Sequence, residues 1–226
     1  MQPLQKIYDM TGVILAGGAS RRMGSDKALL PFQGLRLVDH VHRVLKTVFG
    51  EVLLVTNRTQ NYADVDCRKV VDSYPGAGAL AGIHSALVHA GQDRIFVAAC
   101  DLPFISQTVI QRICAFSHLG DVVLPYTCGG HEPLHAVYSK ACLPVIEGLL
   151  ERDQRRVGAL FEQVKVVRIG ANELGSSDLW ERSFCNINTP EDYFTLRDSS
   201  RQQGMQGRSF VRAGLKTMSK RCRQSG

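Results

Sequence analysis

The chain has 226 residues, 44% apolar and 21% charged, which is enough to bury one full core with little room for a second. No apolar stretch approaches the length that crosses a bilayer, and the first residues lack a signal-peptide core, so we expect a cytoplasmic protein with no membrane partner. The seven cysteines are odd in number and scattered without a CxxC pair, which argues against a disulfide framework or a zinc site.

The net charge of +6 comes from the C-terminal end of the chain. From Arg197 onward there are eight Lys/Arg and one acidic residue, whereas residues 1–196 hold 19 basic and 20 acidic side chains. We therefore predict a folded domain over residues 1–196 and a basic, flexible tail over residues 197–226. Only the tail carries the charge that would bind nucleic acid or an acidic partner, and we do not expect it to do so.

Short apolar segments alternate with longer amphipathic segments, a pattern typical of βαβ units. Strands are predicted at residues 11–16, 51–56, 68–71, 94–99, 121–125, 134–138 and 165–169. Helices are predicted at residues 36–49, 80–90, 106–117, 140–151, 156–163 and 190–197. The predicted fold class is α/β, a single Rossmann-like, doubly wound domain with a mostly parallel sheet. Such sheets bind ligands beyond the carboxyl ends of their strands, so the loops after the strands are the candidate site.

The loop after the first strand belongs to the segment LAGGASRRMGSDKALLP, residues 15–31. The pair Gly17-Gly18 lets backbone N–H groups approach an anion, and Arg22 and Lys27 add positive charge. The spacing matches neither a Walker loop nor GxGxxG. The segment is suited to a triphosphate, although a plain glycine turn with solvated arginines is the alternative.

Asp101 follows the apolar strand RIFVAAC directly. A carboxylate at a strand end can coordinate Mg²⁺ while phosphate and water take the remaining positions. The alternative is an N-cap for the helix that starts near Ser106, but five residues is too far for direct capping. We therefore favour the metal role.

Three further segments supply candidate ligand contacts. Residues 72–83 (DSYPGAGALAGI) contain three glycines ahead of or inside a predicted helix, which suits a base or a phosphate and equally suits close packing on the sheet. Asn57 follows the second strand and offers an amide to a base edge or to a turn. Asn186 and Asn188 alternate before a helix capped by Thr189, so their side chains point the same way and either read a ligand or fix a loop.

Taken together, the collinear motifs resemble a known family over about residues 11–196. The motifs are LAGGASRRMGSDKALL, DSYPGAGALAGI, CDLPF, HEPLHAVY and NINTPED. They are similar to those of the molybdenum cofactor guanylyltransferases, the MobA-type nucleotidyltransferases. The resemblance implies a nucleotide-diphospho-sugar-transferase-like fold and Mg²⁺ as cofactor. It implies GTP and molybdenum-molybdopterin as substrates, with the guanine dinucleotide cofactor and pyrophosphate as products.

The resemblance also implies residue roles. The guanosine site would be formed by Leu15, Ala16 and Gly17, with Asn57 and Asp72 nearby. The triphosphate would be held by Gly18, Arg22 and Lys27, and the magnesium by Asp101. Arg22, Lys27 and Asp101 would form the catalytic apparatus. Positions associated with substrate binding or turnover are Gly78, Gly82, Arg156, Asn186 and Asn188. The chain departs from the family where Ala79 replaces a frequent proline, and the register of Ser25 varies among relatives.

Two alternatives remain open on the residues alone. One is a related cytidylyl or uridylyl transferase that acts on a phosphorylated pterin, sugar or alcohol. The other is a noncatalytic nucleotide-binding adaptor whose basic tail docks a molybdoenzyme or its chaperone. The presence of Arg22, Lys27 and Asp101 favours catalysis. Since a phosphate nucleophile is already anionic at neutral pH, the absence of an evident general base is expected.

Overall fold

The computed structural model describes residues 6–17, 26–127 and 130–203. Their strands are β1 (Ile7–Leu15), β2 (Pro31–Phe32), β3 (Leu35–Arg36), β4 (Phe49–Val55), β5 (Arg68–Val70), β6 (Arg94–Ala99), β7 (Val122–Thr127), β8 (Gly130–His131), β9 (His135–Ser139) and β10 (Val166–Ile169). Their helices are α1 (Leu37–Val48), α2 (Ala79–His89), α3 (Gln107–Cys114), α4 (Leu143–Glu151), α5 (Val157–Leu160), α6 (Ala171–Leu174), α7 (Ser177–Ser183) and α8 (Pro190–Gln203).

The main sheet has the strand order β10-β7-β9-β6-β1-β4-β5, with β8 paired to β7, while β2 and β3 form a separate hairpin. Neighbours pair in parallel except β9, which lies antiparallel between β6 and β7, and the short β8. Each of the seven predicted strands is present. The predicted α/β class with a mostly parallel sheet is therefore confirmed.

Strand β1 shows how two helical layers hold the sheet. Val13 and Ile14 are both fully buried, at 0% exposure, and face opposite sides. Ile14 packs with the buried faces of α1 and α3, and Val13 with those of α2 and α4. A strand buried on both faces reads as a continuous apolar run, and each such side chain contributes about 1.5–3 kcal/mol on burial.

The C-terminal part differs from the prediction in three elements. Helices α6 and α7 were not predicted, because both are short and lie in a polar stretch. Helix α8 was expected to end at residue 197 but continues to Gln203, since no glycine or proline interrupts the sequence before Gly204. The domain boundary placed after Leu196 thus falls inside a helix. Within the described part of the chain, no helix has the length and apolar character needed to cross a membrane.

Candidate active site

The carboxyl ends of β1, β4, β5 and β6 meet at one edge of the sheet, because these four strands are parallel. Backbone hydrogen bonds continue past the strand ends. The Ala16 N–H donates to the Val55 carbonyl at 2.9 Å, and the Cys100 N–H donates to the Leu15 carbonyl at 3.2 Å. The predicted loops after these strands are therefore held beside one another.

Lys27 and Asp101 form an ion pair at this edge. The Lys27 Nζ lies 2.9 Å from Asp101 Oδ2, and the two side chains are only 16% and 13% exposed. The same Nζ donates to Asn188 Oδ1 at 3.4 Å. Lys27 is thus in direct contact with two other predicted site residues, Asp101 and Asn188, the second of which is 161 positions away in the sequence.

The segment that carries Asn186 and Asn188 is attached to the end of β6. The Ile187 N–H donates to the Asp101 carbonyl at 3.1 Å, and the Ile187 side chain is fully buried. The Asn188 Nδ2 donates to Asn186 Oδ1 at 3.0 Å, so the two amides do point the same way. A reciprocal cap starts α8, in which the Thr189 N–H donates to Asp192 Oδ2 at 2.9 Å and the Asp192 N–H donates to Thr189 Oγ1 at 3.1 Å.

Asp26 orients Lys27, a role that sequence reasoning missed. Its Oδ1 accepts a hydrogen bond from the Ala28 N–H at 3.3 Å, which caps the short 3₁₀ helix Lys27–Leu29. Its Oδ2 accepts one from the Tyr62 hydroxyl at 2.8 Å and lies 3.8 Å from Arg58 Nη1. Burial, reinforced by the Asp26 carboxylate, raises the pKa of the Tyr62 hydroxyl above its usual range. An aspartate just before the helix was a signal for the cap, whereas nothing in the sequence pointed to Tyr62.

Asn57 and Asp72 are brought together across the ends of β4 and β5. The Asn57 Oδ1 accepts a hydrogen bond from the Asp72 N–H at 3.0 Å. The other end of the Asn57 amide is its NH₂ group, which donates hydrogen bonds. The Asp72 Oδ1 accepts from the Tyr74 N–H at 2.9 Å, and burial raises the pKa of the Asp72 carboxyl. Asn57 therefore has the turn-fixing contact that was one of its two predicted roles.

The glycine loop before α2 needs glycine at a specific position. Gly78 precedes the helix with φ +81° and ψ −158°, a conformation open essentially only to glycine. One turn into α2, a Cβ on Gly82 would lie 3.2 Å from Leu15 Cδ2, so glycine lets the helix approach the end of β1. No atom of the described residues lies within 4 Å of a Cβ placed on Gly17.

Arg155 and Arg156 lie directly before α5, and Arg155 contacts this loop. The Arg155 Nη1 donates to the Gly76 carbonyl at 3.2 Å, a contact that was not predicted. Arg156 precedes α5 and is exposed, and its guanidinium pairs with no residue that the structure describes. The structure does not join Arg156 directly to the Lys27–Asp101 pair. Gly18, Arg22 and Ser25 lie outside the described residues.

The fold, with a mostly buried lysine–carboxylate pair at the carboxyl edge of its sheet, is that of a nucleotidyltransferase. It superposes on a crystal structure described as molybdopterin-guanine dinucleotide biosynthesis protein A from Archaeoglobus fulgidus. The TM-score is 0.76 and the identity 26%, with 85% of this chain and 99% of the other covered.

Sequence comparison assigns the family within this class. Residues 12–167 match the model of the MobA-like NTP transferase domain. A molybdenum cofactor guanylyltransferase from Desulfosudis oleivorans is 39% identical, with 81% of this chain and 92% of the relative covered. A probable molybdenum cofactor guanylyltransferase from Carboxydothermus hydrogenoformans is 36% identical, with 84% and 96% covered. The chain therefore belongs to the MobA-like nucleotidyltransferase family, as its motifs predicted.

Proposed function

We propose that the protein transfers GMP from GTP to the terminal phosphate of molybdenum-molybdopterin, giving the guanine dinucleotide cofactor and pyrophosphate. The observation that carries this proposal is the Lys27–Asp101 pair, held between the ends of β1 and β6 beside Asn188. The relatives named as molybdenum cofactor guanylyltransferases supply the choice of substrates. We expect the reaction in the cytoplasm, with molybdoenzymes or their chaperones receiving the product.

The reaction exchanges one phosphorus–oxygen bond for another. An oxygen of the acceptor's terminal phosphate attacks the α-phosphorus of GTP, and the bond from that phosphorus to the α,β-bridging oxygen breaks. Pyrophosphate leaves with the electron pair. Both reactants are anionic, so catalysis depends on positioning them and on compensating charge near the bridging oxygen.

Lys27 is placed to supply part of that charge. Its ammonium has three N–H donors, of which Asp101 and Asn188 accept two. No described residue accepts the third, which we expect to donate to a phosphate oxygen. The ion pair with Asp101 also keeps the ammonium fixed without a substrate, because the two side chains are mostly buried. We expect Lys27 to contact the triphosphate at the leaving group.

The residues present fit a magnesium ion whose remaining ligands come from the substrate and water. Asp101 is a hard oxygen ligand whose Oδ2 is shared with Lys27. The described residues contain no group of three or more His, Cys, Asp or Glu side chains that could hold a metal by themselves. This suits Mg²⁺, which is commonly bound through one or two carboxylates together with substrate phosphates and water. When bound, Mg²⁺ would neutralise charge on the phosphates, and Asp101 would hold it there.

The first test is the choice of nucleotide. Thermal-shift measurements with GTP, CTP, ATP and UTP, each with Mg²⁺, should show a selective shift with GTP. A selective shift with CTP or UTP would support the related cytidylyl or uridylyl transferase instead. No shift with any nucleotide would support the adaptor.

The second test is the Asp101→Asn variant. Because the substitution removes the charged metal ligand but keeps the size of the side chain, we expect Mg²⁺-dependent turnover to fall by at least a hundredfold, with little change in melting temperature. The matched control is Asp66→Asn, which removes the charge of an exposed carboxylate before β5, at the opposite edge of the sheet. Near-normal turnover of Asp101→Asn would contradict the assignment.

A further inference from the structure

Four side chains form a second constellation around the carboxyl ends of β7 and β10, with members from β7, β8, β10 and the end of α5. The rings of Tyr126 and His131 have centroids 5.0 Å apart, and those of His131 and Phe161 are 5.6 Å apart. The Arg168 Nε donates to His131 Nε2 at 3.0 Å. Tyr126 is 52% exposed. We call these four residues the edge cluster.

The contact with Arg168 sets the state of the imidazole. Since Nε2 accepts a hydrogen bond, the ring proton lies on Nδ1 and His131 is neutral. Burial and the neighbouring guanidinium lower the pKa of His131 further, so it stays neutral at physiological pH. The cluster therefore presents uncharged ring faces beside one fixed positive charge, which suits a flat, polar, electron-rich ring.

The strand order places the edge cluster on the opposite side of the Lys27–Asp101 pair from the residues implied for guanosine. Leu15 ends β1, and Asn57 and Asp72 follow β4 and β5. Tyr126 and Arg168 of the edge cluster lie near the carboxyl ends of β7 and β10, and Asp101 lies after β6, between the two groups in the strand order. Strands are spaced about 4.8 Å apart, so β7 is about 10 Å and β10 about 14 Å from β6. A ligand with a phosphate at Asp101 would reach the cluster with a ring about 10 Å away.

Two further groups are close in sequence to members of the edge cluster. Arg156, unpaired within the described residues, precedes α5, and Phe161 of the cluster follows the same helix about 7.5 Å further on. Glu132, next to His131, has a carboxyl with no hydrogen-bond or ion-pair partner in the described part of the chain. Its burial raises the pKa of that carboxyl to about 7. A ring that carries N–H groups would supply the missing partner.

We propose that the edge cluster is the subsite for the flat heteroaromatic ring of the phosphorylated acceptor, with Tyr126 and His131 as its stacking faces. This inference rests on the proposed function, which supplies a pterin as the acceptor. The ring would stack on the exposed face of Tyr126, and its phosphate would extend along the edge towards Asp101. The guanine base and the acceptor ring would then occupy opposite sides of the reacting phosphates.

The test compares Tyr126→Ala and Tyr126→Phe with a matched control, Tyr8→Ala. Tyr8 is 68% exposed near the start of β1, at the amino edge of the sheet. The probe is a 6-substituted pterin monophosphate, titrated by fluorescence quenching in the absence of nucleotide. Tyr126→Ala should weaken binding about five- to tenfold, the range expected for loss of one stacking face, while Tyr126→Phe and Tyr8→Ala stay within about twofold of the unaltered protein.

Steady-state kinetics give the second readout. Tyr126→Ala should raise the KM for the acceptor and leave the KM for GTP unchanged. Unaltered pterin binding in Tyr126→Ala, or no pterin binding by the unaltered protein, would overturn the assignment. An equal rise of both KM values would also overturn it, because the nucleobase would then occupy the cluster.

These outcomes separate the inference from the proposed function. If GTP gives no thermal shift but pterin binding still depends on Tyr126, the guanylyl assignment fails and the subsite stands. If GTP is bound and transferred while Tyr126→Ala behaves as the unaltered protein, the function stands and the subsite fails.

Discussion

Lys27 shows how much a single position depends on its neighbours. Its place in the sequence predicted a phosphate contact, and the structure adds the two groups that hold it, Asp101 at 2.9 Å and Asn188 at 3.4 Å. Asp26 fixes the backbone next to Lys27 by accepting a hydrogen bond from the Ala28 N–H, and the Tyr62 hydroxyl in turn donates to Asp26. The lysine could be found from a local motif, but Tyr62 could not, because its contact with Asp26 spans 36 positions without any shared pattern.

Lys27→Ala tests the phosphate role directly. We expect the affinity for GTP to fall by a factor of ten or more, because the substitution removes the ammonium that contacts the triphosphate. The affinity for guanosine should change little, because guanosine has no phosphate. Isothermal titration with both ligands gives the comparison. Lys46→Ala, which removes the exposed partner of Asp66, is the control. Equal losses for GTP and guanosine would argue against a phosphate contact.

His135 makes stability depend on pH. The ring is 2% exposed, neither nitrogen has a hydrogen-bond partner among the described residues, and it packs against Phe96 and Phe184. Burial lowers the pKa of His135 to about 3 from an ordinary value of 6.5. Below pH 6.5 the unfolded chain therefore binds a proton that the folded chain does not. Between pH 7 and pH 5 this costs the folded state about 2 kcal/mol.

The check is urea unfolding of His135→Leu at pH 7 and pH 5. The variant should lose less stability on acidification than the unaltered protein, by about 2 kcal/mol, because leucine has no proton to gain. His118→Gln, at an exposed position, should keep the original pH dependence. A His135→Leu variant with an unchanged acid slope would show that the ring is not held neutral.

Strands buried on both faces, such as β1 and β6, were predicted because such burial requires a continuous run of apolar residues, which is visible in the sequence. Short helices have no apolar pattern long enough to be recognised in the sequence. Helix α7 is held by Trp180 and the fully buried Ser183, whose Oγ accepts a hydrogen bond from the Ser106 N–H at 3.0 Å. Its stability comes from these tertiary contacts, since a helix of seven residues is marginal alone.

The start of α2 is the element most sensitive to a small substitution. Gly78→Ala should lower the free energy of unfolding by about 1–3 kcal/mol, because the φ of +81° and ψ of −158° are strained for any residue with a Cβ. Urea unfolding measures the loss. Gly158→Ala is the control, since no described atom lies within 4 Å of a Cβ on this helical glycine and alanine should be neutral or slightly stabilising. Equal stability of the two variants would contradict the strain.

At the scale of the whole molecule, sheet topology decides which loops share a site. The main sheet brings the residues that follow β1, β4, β5 and β6 to one edge, and the return of the chain after α7 adds Asn186 and Asn188. The distribution of charge along the chain predicted the basic tail. It did not predict the end of α8, because the helix passes through the change in composition.

A truncation after Gln203 tests the role of the residues beyond α8. We expect turnover and melting temperature close to those of the full chain, because the ion pair and its supporting contacts all lie before this point. A truncation after Tyr193 is the comparison. It removes the fully packed Leu196, at 1% exposure, and should lower the melting temperature by several degrees. Loss of turnover on truncation after Gln203 would show that the tail takes part in the reaction.

The sequence by itself determined the fold class, the seven main strands, the family and the candidate residues Lys27, Asp101, Asn186 and Asn188, because apolar periodicity and collinear motifs are local properties of the chain. Only the tertiary structure decided that Lys27, Asp101 and Asn188 touch, that Tyr62 supports them through Asp26, and that an aromatic cluster lies on the far side. Such contacts join distant positions through the order of strands in the sheet, and no local pattern encodes that order.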